Sequence, residues 1–362
     1  MRNPLFPLLS ALLLSPLALA VPSVLVYTYA AGHAHDSIPT AIDVLNHTEI
    51  EAQYGVNFTF IQDQLGFNQA DLSTFDGVFF ISTTGEALDQ AGQAAVKTFF
   101  QSGGVYTGVH AAADCLYNDT TYGQAVGAWF DYRDSLQNAT FTRLNNTHPA
   151  TQHLPDRWTF MEEVYHLRND PRDNGATILL SVDQTSFIND GNTTGDYPAI
   201  PAPQPIAWYI DSPLPAQPLL EGAPKAGRSF YTSLGHSNET WHDELFIRHV
   251  MSGLKWALDG ASTRAYGVGI VGNGNGDAST TVGVTSSPPN HQPGVTSYTI
   301  TSSASAATST SNTNTIQIAA AASAQSTSMG NAVIMSKCKV QLTGVAVDRV
   351  DHDVDGRIRV QI

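Results

Sequence analysis

The chain has 362 residues and a formal net charge of −15. An acidic chain poor in Lys and Arg is unsuited to nucleic acid or an anionic membrane, because phosphate binding is carried by basic side chains. It suits a saccharide, another small neutral ligand or a cation. Its two cysteines, Cys115 and Cys338, do not make a disulfide scaffold. A bridge between them is not favoured, so stability must come from a core.

Residues 1–20 read as a secretory signal peptide: basic Arg2, the apolar run Leu5 to Leu19 and the small-x-small Ala18-Leu19-Ala20. No other run is long and apolar enough to span a bilayer. Seven Asn-x-Thr acceptors follow, at Asn46, Asn57, Asn118, Asn138, Asn145, Asn192 and Asn238. In a secreted, extracellular chain these are candidate glycosylation sites, and their density suggests a eukaryotic secretory origin.

Residues 21–259 hold all five tryptophans and make a single α/β domain of ordinary size. Ser23 to Thr28 is a buried strand. Its loop, Gly32-His33-Ala34-His35-Asp36-Ser37, leads into a helix from Ile38-Pro39 to about Tyr54, since Pro is favoured in a first turn. Val56 to Gln62 and Phe75 to Ile81 are strands, and Glu86 to Gln101 has helical spacing. Gly103 to Val109 is a further buried strand, with a helix starting near Asp114. This alternation implies right-handed crossovers and a doubly wound, mostly parallel sheet.

The second half is less regular. Ala139 to Leu144, Ala176 to Val182, Ile206 to Tyr209 and Arg228 to Leu234 read as strands, and Trp241 to Leu258 as a closing amphipathic helix. Residues 260–329 are Ser, Thr, Ala and Gly with almost no charge, so they read as a disordered stalk fitted to cell-wall association. Residues 330–362 form a short segment with no assignable role. Its alternating end, from Val345, suits a hairpin.

Chemistry-bearing residues gather at strand ends. His33 and His35 follow the first strand, Thr84 another, His110 and Asp114 another, and His236 the last. A later loop carries Glu162, Glu163 and Tyr165. In a parallel sheet these ends share one edge, where ligands of open α/β sheets bind. Imidazole and carboxylate suit a divalent, zinc-like ion, with His33, His35, His110 and His236 as ligand candidates, although no compact metal signature such as H-E-x-x-H is present. The same groups suit acid–base work on a sugar, with His110, Asp114, Glu163, His35 and His236 as catalytic candidates, Asp114 orienting His110. Two adjacent acids on an extended segment cannot both face one site, so at most one of Glu162 and Glu163 acts. There is no G-x-S-x-G elbow, and Cys115 reads as a structural thiol, so covalent catalysis is disfavoured. Candidates for substrate contact are Trp208, Tyr165, Arg228 and Thr84.

Several segments resemble the trehalose-utilisation (ThuA-like) family. They are Val24-Leu25-Val26-Tyr27 with Ala31 to Pro39, Thr83-Thr84-Gly85-Glu86, Gly103 to Asp114, and His148-Pro149-Ala150-Thr151. The match continues through Asp156-Arg157-Trp158, Glu162 to Tyr165, Asn169 to Asp173, Pro205 to Trp208, Gly227 to His236 and Gly253 to Ala257. The resemblance spans about residues 23–259. It implies a flavodoxin-like, class I glutamine-amidotransferase-like fold and a link to sugar metabolism. In the amidotransferases the elbow holds a nucleophilic Cys. Here the matching run is Gly108-Val109-His110-Ala111-Ala112, which puts His110 in that position and argues against glutamine hydrolysis. Two readings follow: a protein acting on or binding a saccharide by His/carboxylate or metal-assisted chemistry, and a catalytically inert carbohydrate-binding or surface module.

Overall fold

Strand β1, Ser23–Tyr27, is buried along almost its whole length, as expected of an apolar run covered on both faces. The structure is a computed structural model that describes residues 20–274 and the backbone of two paired strands, Arg349–His352 and Ile358–Gln361. The expected leader up to Leu19 and the low-complexity stretch from residue 275 lie outside the described residues, as does Cys338.

After β1 come α1, Ile38–Leu45, and α2, Thr48–Tyr54. The single helix expected there is interrupted at Asn46-His47, with His47 in extended backbone as the cap of α2. Next are β2, Asn57–Ile61; α3, Gln64–Gln69; β3, Gly77–Ile81; the two-residue β4, Thr84–Gly85; and α4, Gln90–Gln101. The Asp89 side chain caps α4 by accepting from the Gly92 amide, which starts the helix four residues later than its apolar spacing suggests.

Strand β5 is Val105–Val109. The helix expected near Asp114 is instead a 3₁₀ turn, His110–Ala113, and the two-residue strand β6, Asp114–Cys115. Helix formation waits for α5, Thr120–Val126, where the Asp119 carboxylate accepts two backbone amides.

The second half supplies β7, Phe130–Arg133; β8, Gln137–Arg143; β9, Arg157–Glu162; β10, Tyr165–Leu167; β11, Thr177–Val182; β12, Pro205–Ile210; and β13, Ser229–Thr232. Helices α6, Asn238–His242, and α7, Glu244–Leu258, close the fold, separated by Asp243, which caps α7.

The main sheet has nine strands in the order β2-β1-β3-β5-β13-β12-β11-β8-β9. The first five are parallel and have the strand order of a doubly wound sheet. The four from β12 to β9 are added antiparallel, so the sheet is mixed. Four successive reversals after β13 leave β9 running in the parallel direction, with its carboxyl end on the same edge. Val24, Val26, Phe79 and Ile81 meet α1 and α7 on one face. Leu25, Tyr27, Val78 and Phe80 meet α3, α4 and α5 on the other. Packing continues beyond Asp259: the buried Asp76 carboxylate accepts from the backbone amides of Ser23, Ala265 and Asn273.

Candidate functional site

Above the carboxyl edge, the loops after β1, β3 and β5 continue the pairing through Ala30, Thr84 and Asp114. Thr84 is buried here. Its hydroxyl donates to the His33 carbonyl at 2.9 Å and accepts from Gly32 at 3.1 Å. Its role is therefore to hold the histidine loop, and the expected substrate contact is withdrawn.

His110 follows β5 with φ +57, a left-handed conformation that costs a side-chain-bearing residue about 1–3 kcal/mol and persists only where its surroundings enforce it. Its carbonyl accepts from the Tyr231 hydroxyl at 2.7 Å, and Nδ1 stands 2.9 Å from the Ser233 carbonyl. A carbonyl only accepts, so Nδ1 carries the proton and Nε2 presents a lone pair. Tyr165 donates to Nε2 at 3.0 Å, and His236 Nδ1 lies 3.3 Å from it. Complete burial pushes the basicity of His110 far below the usual imidazole range, with His35 adding to the effect.

His35 and His236 complete a trio whose ligand atoms all lie within 4.8 Å of one another. Desolvation lowers the pKa of His35 to about 4, and it lowers that of the half-buried His236 as well. All three rings are therefore neutral near pH 7. His35 Nδ1 is buried without a hydrogen-bond partner.

Glu163 follows β9. Its Oε1 pairs with Arg133 Nε at 2.8 Å, while Oε2 lies 3.3 Å from His236 Nδ1 and 3.8 Å from His110 Nε2. Burial raises its pKa to about 8, against the lowering effect of Arg133. Glu162 points elsewhere. It accepts from the backbone amides of Glu163, Gly235 and His236 and from the Thr240 hydroxyl, so every neighbour is a donor. This buried clamp fixes the Gly235-His236 turn. Gly235 has φ +117 and leaves no room for a Cβ beside Val109, and its carbonyl accepts from Trp241 at 3.0 Å.

The remaining candidates separate from this cluster. His33 is exposed, its ring 4.8 Å from that of His35, and it lies outside the trio. Asp114 does not orient His110. The 3₁₀ turn carries it away to Tyr117, whose hydroxyl is 2.5 Å from its Oδ1. Trp208 is fully buried in the core beside Tyr231, its indole donating to the Val126 carbonyl at 2.8 Å, so it is no substrate contact. Arg228 precedes β13, at the opposite edge of the sheet. It pairs with Asp211 at 2.7 Å and lies over Trp256, so it is not a site residue either. Tyr165 stays at the site as a buried neighbour of His110. Cys115 is buried beside Thr83, its thiol pushed up to about 12, which leaves no thiolate to act. Arg133 was not anticipated, and nothing in the residues around it marks its pairing across to Glu163. Of the expected glycan acceptors, Asn145 is half-buried and the other six are exposed.

The arrangement offers three neutral imidazoles, two with known lone pairs or an orphaned nitrogen, facing a buried carboxyl of raised pKa. It can hold a cation, and it can exchange a proton near neutral pH.

No curated protein matches the chain. A ThuA-like protein from Bacteroides uniformis shares 19% identity, with a TM-score of 0.50, over 66% of this chain and 92% of its own. One from Parabacteroides merdae shares 15%, with a TM-score of 0.49, over 69% and 97%. At such identity the first likeness carries the fold alone. The family described as trehalose utilisation, ThuA, matches residues 23–257, well over half of the chain. The protein belongs to the ThuA family.

Proposed function

We propose that the chain is a secreted, glycosylated protein that acts on a saccharide of the trehalose or disaccharide type by metal-assisted acid–base chemistry. The observation that carries the reading is the convergence of His35, His110 and His236 within 4.8 Å, with Glu163 against two of them, His110 and His236. Buried polar atoms ordinarily have partners, and here His35 Nδ1 and Glu163 Oε2 have none. A divalent cation held by the trio would answer His35 Nδ1, with the Glu163 carboxyl standing beside it against His110 and His236. Two ligands bound tetrahedrally to zinc stand about 3.3 Å apart, given bond lengths of about 2.0–2.1 Å. His110 Nε2 and His236 Nδ1 are 3.3 Å apart. The Ser233 carbonyl holds His110 in the ligating tautomer, as second neighbours of metal-bound histidines commonly do, and a cation at Nε2 would take the place of the Tyr165 hydrogen bond.

A divalent ion in this cage would polarise a sugar oxygen. Glu163, whose carboxyl faces His110 and His236, is the group placed to carry the proton. Arg133 holds that carboxyl in place.

Elemental analysis of the purified full-length protein, after exposure to zinc, tests the metal. About one equivalent is expected, and it should be lost in His236→Ala. Glu163→Gln should keep the metal and lose trehalose turnover by at least about 100-fold, the low end of general acid–base contributions. A folded protein that takes up no stoichiometric ion overturns the metal-assisted reading. Saturable trehalose binding without any product selects the inert carbohydrate-binding module instead.

A further inference from the structure

The short ribbon formed by β7 and β10 has two faces with different chemistry. The register pairs Tyr165 with Arg133 and His166 with Tyr132. Alternation then sends Arg133 and Tyr165 toward the histidine trio, and Tyr132 and His166 to the other side. On that other side lies a pocket of about 510 Å³, within the usual size range of small-ligand sites.

The far wall of the pocket is the segment from Asn189 to Ile200, which sits on buried anchors. Asp134 Oδ1 accepts from the backbone amides of Asp190 and Gly191 at 3.0 and 3.1 Å. Its Oδ2 lies 2.8 Å from His166 Nε2. Asp131 accepts from the Thr193 hydroxyl and from both the amide and hydroxyl of Thr194. Two buried carboxylates therefore hold an otherwise irregular loop in place. A pocket whose walls are already in position costs a ligand little ordering on binding.

The lining also selects a ligand class. Tyr132 lies flat on His166, with centroids 4.1 Å apart and planes 3° apart, and Tyr197 stands on the loop. Gln184, Asn189 and Gln204 bring carboxamides that both donate and accept. No Lys or Arg lines the space, while Asp131 and Asp196 do. Aromatic faces with mixed donor–acceptor amides and no cation suit a neutral polyhydroxylated ring, and they disfavour phosphorylated or carboxylated ligands. Gln204 also donates to the Tyr165 carbonyl at 2.8 Å, which ties the pocket wall to the backbone of the residue beside His110.

We infer that the pocket behind the β7–β10 ribbon is a second binding site for a neutral saccharide, separate from the histidine trio and bounded by Tyr132, His166, Asn189, Tyr197 and Gln204. It shares with the proposed function only the class of ligand, and it stands whether or not the trio holds a metal.

Calorimetric titration of the full chain with trehalose and maltose, with trehalose 6-phosphate as the charged counterpart, tests the site. Binding of at least one neutral disaccharide is expected, with the phosphorylated sugar at least tenfold weaker. Tyr197→Ala and Asn189→Ala, both on the loop surface, should each weaken binding of the neutral sugar by about three- to tenfold and leave the metal content unchanged. His110→Ala should retain this binding while losing whatever the trio does, which separates failure of one reading from failure of the other. The inference is overturned if neither disaccharide binds, if both loop variants bind like the parent, or if His110→Ala abolishes all sugar binding.

Discussion

Two groups of three histidines lie buried or half-buried in this fold, and only one of them is built like a site. His35, His110 and His236 stand at strand ends and converge within 4.8 Å, beside a carboxyl group that faces them. His148, His153 and His249 lie at the other histidine-rich place, where α7 meets the loop after β8. There His249 Nδ1 donates to the Ala150 carbonyl at 2.8 Å, and the Ala150 amide donates to His148 Nδ1 at 3.2 Å. The His148 ring packs against both Tyr209 and Trp256, 4.7 Å from each. Burial lowers the basicity of both groups, with His249 brought to about 3 and His148 to about 4. Both groups also contain nitrogens without partners. Depressed basicity and missing hydrogen bonds therefore do not by themselves distinguish a reactive cluster from a packed one. Convergence with a carboxylate does, and among the described residues only the first group brings three donor atoms together.

The sharpest way to break this comparison is to remove one ring from each group. His110→Ala should lower trehalose turnover by at least about 100-fold in a protein that still folds. His249→Ala should leave turnover within about threefold and lower the stability by about 2–3 kcal/mol, through the lost carbonyl partner and the emptied volume. Turnover and thermal melts on the two purified variants decide between them. Equal losses of activity would mean that the second group also serves the chemistry.

A smaller effect should appear in the acid dependence of stability. For His148 and His249 the folded-state pKa is depressed below the unfolded value near 6.5. Their contribution is therefore whole above pH 6.5 and is lost as pH falls toward 4 and 3. At pH 5 each disfavours the folded state by about 2 kcal/mol, from one and a half pH units at about 1.4 kcal/mol each. Glu162 and Glu163 act in the opposite direction. Their raised values, about 7 and 8, favour the fold below pH 4.5 and withdraw that support as pH rises through them. His35, brought to about 4, and the deeply depressed His110 add to the histidine side and outweigh the two acids. Denaturant melts between pH 7 and pH 5 should therefore show stability falling, and His249→Leu should flatten the slope by about one protonation. An unchanged slope in that variant would remove the packed group from the acid response.

How much of this was readable beforehand follows from how each strand is buried. β1, β3 and β5 are apolar on both faces and announce themselves as continuous runs. β9 alternates Trp158 and Phe160 with exposed residues, but its buried end is Glu162, which reads as a surface acid until its four donors are seen. β7 and β10 are short and polar, so Arg133 had no context. The histidines at strand ends were legible because the strands were. The tautomer-fixing carbonyl of Ser233 was not, since backbone acceptors leave no mark in a sequence. Trp208 and Arg228 were misplaced for a related reason. An indole within a strand and a cation at the start of one look alike in a pocket and in a core, and here Val126, Asp211 and Trp256 engage them.

The smallest expected effect concerns the fourth histidine. His33 comes from the same loop as His35, and the sequence treats the two alike. In the fold the backbone of His33 is held by Thr84 while its ring stays in solvent, edge-on to His35 at 4.8 Å. An exposed imidazole 4.8 Å from a neutral one contributes little beyond a weak mutual repulsion when both are protonated, because water screens it. His33→Ala should therefore change zinc affinity by less than about threefold, whereas His35→Ala should reduce it by at least about tenfold, comparable to the loss of a metal-site partner. Competition titrations of the two variants against a chelating dye measure this directly. If His33→Ala weakens the metal as much as His35→Ala does, the loop after β1 closes further over the trio than this arrangement shows, and the site has four imidazoles instead of three.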